Sequence, residues 1–242
     1  MIDRLNDLLE RLERAFHREK RFTADVAHEL RTPLAGARSV LEVALSRDRE
    51  PEAYRQAMQD CLGINEQMHR MVENLLHLAR ADANQLEVVS ESVDLAALAR
   101  ECWEPLAGDA QQRQLQVVWR LKEPCIVESD RCKLRLILQN ILGNAVAYAD
   151  DGGQIWVDTI LADGCVEFAV TNSGSAVAEQ DVARVFDRFW RGDASRRCSG
   201  QHCGLGLSLC KVLVELLGGS IEAFSSPGET FRVTVRLLAS RG

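Results

Sequence analysis

Apolar residues recur at Leu5, Leu8, Leu12, Phe16, Phe22, Val26, Leu30, Leu34, Leu41 and Leu45 in steps near 3.6, which predicts one long amphipathic helix over residues 1 to about 47 with its stripe facing a core. SRDREPEA follows as a charged turn, with Pro51 placed for the first turn of a second helix that runs to about Ala81. In that helix Ala57, Cys61, Ile64, Met68, Met71, Leu75 and Leu78 alternate steps of four and three, the seam of a coiled coil or bundle. The two helices form a hairpin that cannot enclose both seams. A homodimer that closes a four-helix bundle, with crossings near 20°, is the expected solution.

After ADANQLE the period changes. Short strand-like runs (LEVVS, LQVVW, CIVE, QIWVDTIL, CVEFAVT, GSIEAFSS, TFRVTVRLL) alternate with helical stretches at 94–112, 130–149 and 205–217, which predicts a second, α+β domain. Val166, Phe168 and Val170 alternate cleanly, and Ala162-Asp163-Gly164 reads as the hairpin turn before them. Residues 174–203 are polar, glycine-containing and only partly periodic; a loop of that length inside a compact domain is usually functional.

Composition narrows the classes. A net charge of -7, with no basic cluster beyond Arg196-Arg197, argues against a nucleic-acid or anionic-membrane surface. No apolar run approaches the roughly 18 to 20 residues that span a bilayer, and the N-terminus is amphipathic, not signal-like, so the chain as given is expected to be soluble. The eight cysteines lack framework spacing and suit reduced thiols in a cytosol. Cys198, His202 and Cys203 cluster in one loop, but a fourth ligand and a recognised metal spacing are missing.

Candidate chemistry begins in FTADVAHELRTPLA, residues 22–35. His28 lies two residues from both Val26 and Leu30, so at about 100° per residue it projects opposite the stripe, sharing an outward face with Thr32 and lying beside Glu29. Pro33 removes a backbone donor and is expected to loosen the helix there. Taken alone, these residues are better explained by a solvated histidine in a charged stretch. Asp130 can cap a helix over 131–149, on which Asn140, Asn144 and Tyr148 form a row beside the apolar face. Such a row can simply face water, or its neutral carboxamide oxygens can serve Mg²⁺. In GQHCGLGLSLCK, Gly204 and Gly206 open a helix, where backbone N–H groups favour phosphate; a structural turn is the plain alternative, and neither a Walker loop nor a dinucleotide fingerprint is present.

Together these segments resemble the histidine protein kinases of two-component signalling, across nearly the whole chain. FTADVAHELRTPLA resembles the phosphoacceptor motif and DRCKLRLILQNILGNAVAYA the N box. VTNSGSA is similar to the adenine-binding glycine motif, VFDRFWRGD to the F box of the lid, and GLGLSLCKVLVELLGGSI to the second glycine box. The order and spacing agree with that family, and the pattern is nearest its membrane-bound, heavy-metal-sensor-like branch. IDRLNDLLERLERAFHREKRF resembles the end of the HAMP signalling linker.

The resemblance implies a helical-hairpin dimerisation domain forming a four-helix bundle in the dimer, then an α/β-sandwich ATP-binding domain of the histidine kinase, gyrase and Hsp90 type. The implied boundaries are 1–20 for the end of the HAMP-like helix, 21–84 for dimerisation and phosphotransfer, and 85–242 for catalysis. It further implies that His28 attacks the γ-phosphorus of ATP, that Glu29 is its local base, and that Thr32 positions water for a phosphatase reaction. Asn144 would hold Mg²⁺ and Asn140 would support the phosphates, with no glutamate there to activate water for a hydrolytic clamp. Asn172 and Gly174 would meet adenine, Tyr148 would line the nucleotide, Phe186 and Phe189 would anchor the lid, and Arg188 or Arg191 would reach the γ-phosphate. Gly204, Leu205, Gly206 and Leu207 would wrap the phosphates. The implied partners are a second copy of the chain, the receiver domain of a response regulator, and an upstream membrane sensor with its HAMP segment, which places this portion in the cytoplasm; nucleic acid is not among them. Ala147, Asn172, Ala176 and Cys203 depart from the usual pattern, and the alternative they leave is a degenerate nucleotide-binding dimeric scaffold with weak or no kinase activity.

Overall fold

The computed structural model describes residues 2–162, 164–192 and 203–239. Helix α1 covers Ile2–Leu45 and α2 covers Pro51–Asp82. Arg49 and Ser46 bond the Val43 carbonyl where α1 ends, and Asn84, at φ 53, carries the chain out of α2 while Gln85 N–H reaches the Arg80 carbonyl. α1 runs through Pro33 unbroken, so the expected loosening reduces to one missing amide, which leaves the Glu29 carbonyl without its helical donor.

The chain divides into two compact units, Met1–Val72 and Glu73–Gly242. In the first, the α2 seam is covered at Met71 and half-covered at Cys61, Ile64 and Met68, and the Cys61 thiol donates to the Ala37 carbonyl. The α1 stripe corrects the expectation of a uniformly buried face: Leu34, Leu41 and Leu45 are 54%, 48% and 80% exposed. One step round α2, Met58 and Leu62 are also exposed. Two helices offer each other only one groove, and these apolar rows are uncovered among the described residues.

The second unit holds two sheets. Strand β1 (Glu91–Asp94) pairs antiparallel with β3 (Ile126–Ser129). The larger sheet contains β2 (Gln116–Arg120), β4 (Gln154–Ala162), β5 (Cys165–Ser173), β6 (Ser220–Ser226) and β7 (Thr230–Leu238) in the order β2-β4-β5-β7-β6, with β2 parallel to β4 and every other pair antiparallel. LEVVS is not a strand: Val88 and Val89 are exposed, and the strand forms in the less apolar ESVD that follows, because Val93 there is buried opposite Val127 of β3. Pairing outranks local β-propensity. Ala162 pairs with Cys165 as expected of a tight hairpin with Gly164 at φ 73; Asp163 lies outside the described residues.

Helices α3 (Leu95–Trp103), α5 (Arg131–Tyr148) and α6 (Gly206–Leu216) and the short α4 (Ala107–Gln112) complete the unit. The helix expected over 94–112 is interrupted by a 3₁₀ turn at Glu104–Leu106, where Pro105 cannot supply an interior amide. Asp94 caps α3 through Ala96 and Ala97 N–H, and Asp130 caps α5 through Lys133 N–H, as read from the sequence. Val166, Phe168, Val170 and Asn172 lie buried on one face of β5, in register with Val233 and Val235 of β7. The opposite face carries the Glu167–Arg236–Glu222 ion row. The helices α5 and α6 pack on each other, α5 against β5 and α6 against β6.

Candidate functional site

His28 is exposed on α1, and its imidazole makes no hydrogen bond or ion pair among the described residues. Glu29 beside it is half-buried and equally uncommitted, whereas the exposed Thr32 bends its hydroxyl back to the His28 carbonyl at 3.4 Å, the ordinary habit of a helical threonine. The chain therefore presents an imidazole and a carboxyl side chain side by side, neither committed to a partner among the described residues.

The second constellation lies wholly in the second unit. On α5, Asn140 donates Nδ2 to the Leu136 carbonyl, and its Oδ1 sits where a Cβ on Gly206 would approach to 2.6 Å. Only glycine allows the N-terminus of α6 to close on α5 so tightly. Among the described residues no side chain caps that terminus, and its first N–H groups lie beside Asn140. Asn144, one turn further along α5, has no partner among the described residues, and Tyr148 is half-buried at the helix end. Leu205 is fully buried and can serve a ligand only through its backbone, while Leu207 is half-buried.

Asn172 is 3% exposed at the end of β5, in register with Ile155 of β4 and Phe231 of β7. Its Nδ2 donates to the Ser173 carbonyl at 2.9 Å, leaving Oδ1 to accept from elsewhere. Gly174, at φ 79, donates its N–H to the Glu229 carbonyl, and Ser175 and Ser225 share a 2.6 Å hydroxyl contact that pins the next residues to β6. Ala176 is exposed, so the missing second glycine of that motif leaves no crowding behind.

Phe186 and Phe189 are half-buried, and Phe189 adopts φ 61, a costly conformation for a bulky side chain. Its N–H bonds the Gly204 carbonyl at 2.9 Å, and a Cβ on Gly204 would meet the Trp190 carbonyl at 2.7 Å. Gly204 thus has a packing reason that the phosphate reading did not anticipate. Arg188 forks its guanidinium onto Asp82, at 2.7 and 2.8 Å, because the last turn of α2 offers both carboxylate oxygens. Arg191 is half-buried.

Three contributors escape sequence patterns. Arg113 donates to the carbonyls of Val146, Ala147 and Ala149, closing the C-terminus of α5, and pairs with Asp151. Asp82 and Asp150 are likewise placed only by the tertiary fold. Asp130 is buried, which opposes its charge, yet the Lys133 ammonium at 2.6 Å and the Val89 and Lys133 N–H groups together hold its carboxyl below the ordinary range. Burial pushes the Cys102 thiol up to about 11 and raises that of Cys210, so neither is a nucleophile at neutral pH. The described cysteines are all free thiols, and Cys198 and His202 of the loop cluster lie outside the described residues. Among the described residues no group of three or more His, Cys, Asp and Glu side chains is placed to hold a metal, and no helix is long and apolar enough to cross a membrane.

Residues 18–84 match the His Kinase A (phospho-acceptor) domain and residues 129–239 the histidine kinase-, DNA gyrase B- and HSP90-like ATPase. The chain is 33% identical over 237 residues to sensor histidine kinase CusS of Escherichia coli O157:H7, covering 98% of this chain and 48% of CusS. It is 37% identical over 225 residues to sensor protein CutS of Streptomyces coelicolor, covering 92% and 53%. It thus spans about half the length of these curated relatives. The fold is shared with histidine kinase ThkA, solved in complex with response regulator protein TrrA, at a TM-score of 0.70 and 20% identity over 90% of this chain and 61% of that one. A phosphoacceptor hairpin and a nucleotide-site sandwich, joined in this order in one chain, make it a member of the sensor histidine kinases of two-component signalling, carrying the two domains of an ATP-dependent protein-histidine kinase.

Proposed function

We propose that this chain autophosphorylates His28 from Mg-ATP and passes the phosphoryl group to an aspartate of a response regulator. The uncommitted, exposed imidazole of His28 carries the reading, since a nucleophile that a separate domain must reach has to be free of partners. In the transfer an N–P bond forms at His28, the bond to the ADP oxygen breaks, and the proton on the other ring nitrogen passes toward Glu29. In a separate phosphatase reaction Thr32 holds water against the phosphorylated regulator, so that the aspartyl-phosphate bond breaks and inorganic phosphate leaves.

Asn172 Oδ1 and Gly174 meet adenine, Tyr148 lines the nucleotide, and the open N-terminus of α6 at Gly206, with the Gly204–Leu207 backbone, receives the phosphates beside Asn140. Asn144 offers an unused neutral oxygen, the donor type that suits Mg²⁺, and the ion would neutralise phosphate charge there while keeping waters of its own. Phe186 and Phe189 anchor the lid, and Arg191, with Arg188 once it leaves Asp82, supplies cations for the γ-phosphate. The position of Asn140 holds no carboxylate to activate water, which favours transfer over hydrolysis. The division into 1–20, 21–84 and 85–242, the homodimer, the receiver-domain partner and an upstream HAMP and membrane sensor, with this portion in the cytoplasm, belong to the same reading. The ThkA–TrrA complex supports the choice of regulator as partner.

Incubation with γ-labelled ATP and Mg²⁺ tests it: label that is acid-labile and base-stable is expected on the wild-type chain and lost in His28→Gln. Retention of label in that variant rejects His28. A chain that binds ADP but takes no label would support the second reading, a nucleotide-binding scaffold, which the loss of charge at Asn172 and Ala147 favours.

A further inference from the structure

The adenine end of the site lacks the carboxylate usual at position 172, yet the fold brings another one to it. Asp150 follows the last turn of α5, and its side chain occupies the space that a Cβ on Gly174 would need, so the carboxylate lies directly over that glycine. Its backbone is held on every side. Gly153 N–H bonds the Asp150 carbonyl at 2.9 Å, Gly152 N–H bonds the Arg113 carbonyl at 2.9 Å, and Gln154 N–H bonds Ser173 Oγ at 3.0 Å, which ties the turn to the end of β5. Glycine is also required at 153, where a Cβ would run into Ser173 Oγ and come within 2.7 Å of the Asp150 carbonyl.

Charge makes the placement informative. Neighbouring Asp151 is neutralised by Arg113 at 2.7 Å, whereas the Asp150 carboxylate has neither a cation nor a hydrogen-bond donor among the described residues. It is exposed just beyond the C-terminus of α5, so it is free to take a donor that a ligand brings. Two residues before Gly174, Asn172 directs one amide N–H to the Ser173 carbonyl, which fixes its carboxamide with Oδ1 still able to accept. The edge of the site around Gly174 thus presents two acceptors.

We propose that Asp150 is a base-reading residue: its carboxylate accepts from the exocyclic amino group of adenine alongside Asn172, taking over the charge that position 172 lacks and selecting a 6-aminopurine nucleotide over a 6-oxopurine one. The proposal rests on the nucleotide-site reading above. A 6-oxopurine would set its own acceptor against both oxygens, of which Asn172 Oδ1 belongs to a buried side chain, and an unmatched buried acceptor is what a hydrogen-bonding site rejects most strongly.

Calorimetric titration of the full chain with ADP and with inosine diphosphate, each with Mg²⁺, tests it in four forms: wild type, Asp150→Asn, Asn172→Asp and the double variant. The difference between charged and neutral hydrogen bonds corresponds to about fivefold in affinity. Asp150→Asn should weaken ADP by about that factor without weakening inosine diphosphate, since a carboxamide can turn its N–H toward the 6-oxo group. The double variant, with the carboxylate moved to 172, should recover ADP affinity at an unchanged unfolding midpoint. Equal weakening of both nucleotides, unchanged ADP affinity in Asp150→Asn, or failure of the double variant to recover it while folded would overturn the proposal. Wild-type chain that binds no ADP would instead remove the nucleotide-site reading on which it stands.

Discussion

Asp130 shows how a single side chain serves both stability and the site, because the helix it caps is the one that carries Asn140, Asn144 and Tyr148. Its folded-state pKa is depressed, so its contribution is fully present above the ordinary carboxylate range near 3.9 and fades as pH falls through the lower folded value. Asp130→Asn keeps a cap but loses the Lys133 charge pair. It should cost about 2 kcal/mol at pH 7 and less at pH 3, where the wild type has begun to lose the same interaction. Urea unfolding at the two pH values checks the convergence, and parallel curves would refute it. Asp130 was legible as a cap because an acid before an apolar periodic run has few other readings. Its ion pair was legible only as a spacing, and its bond to Val89 not at all, since that contact joins residues 41 apart in sequence.

At the scale of elements the same contrast holds. The N box, the glycine turns and the alternation of β5 are local patterns and stand where the sequence put them, whereas LEVVS misled because a β-rich run without a partner has nothing to pair with. The clasp of Arg113 on α5 is the element-level device that no local pattern announces. One guanidinium serves three carbonyls of the last turn, so Arg113→Ala should cost about 2 kcal/mol and speed amide exchange in the turn that ends at Tyr148. Arg113→Lys should recover less than half of that, because an ammonium cannot span the fork. Chemical denaturation with hydrogen exchange separates the two; full rescue by lysine would mean that charge alone matters. The Asp82–Arg188 pair similarly joins the end of α2 to the segment between Phe186 and Phe189 through one ion pair.

For the whole molecule, two units with separate contacts imply that association and nucleotide binding can be separated. Met58 and Leu62, 69% and 59% exposed on α2, belong to the row that a second copy would cover. Leu62→Glu should therefore yield monomers by light scattering at concentrations where the wild type is dimeric, with Mg-ADP affinity unchanged; a persisting dimer would place the interface elsewhere. The order of strands carries a consequence of another kind, for biosynthesis. Among the described strands β7 comes last along the chain, yet it lies inside the sheet between β5 and β6, and Asn172 at the end of β5 is in register with its Phe231. A nascent chain lacking β7 has β5 and β6 without their common partner, and two unpaired strand edges in place of a finished sheet. Nucleotide would thus be a ligand only of the fully translated domain, and chains stalled before residue 230 would expose those edges to chaperones instead of finding ATP.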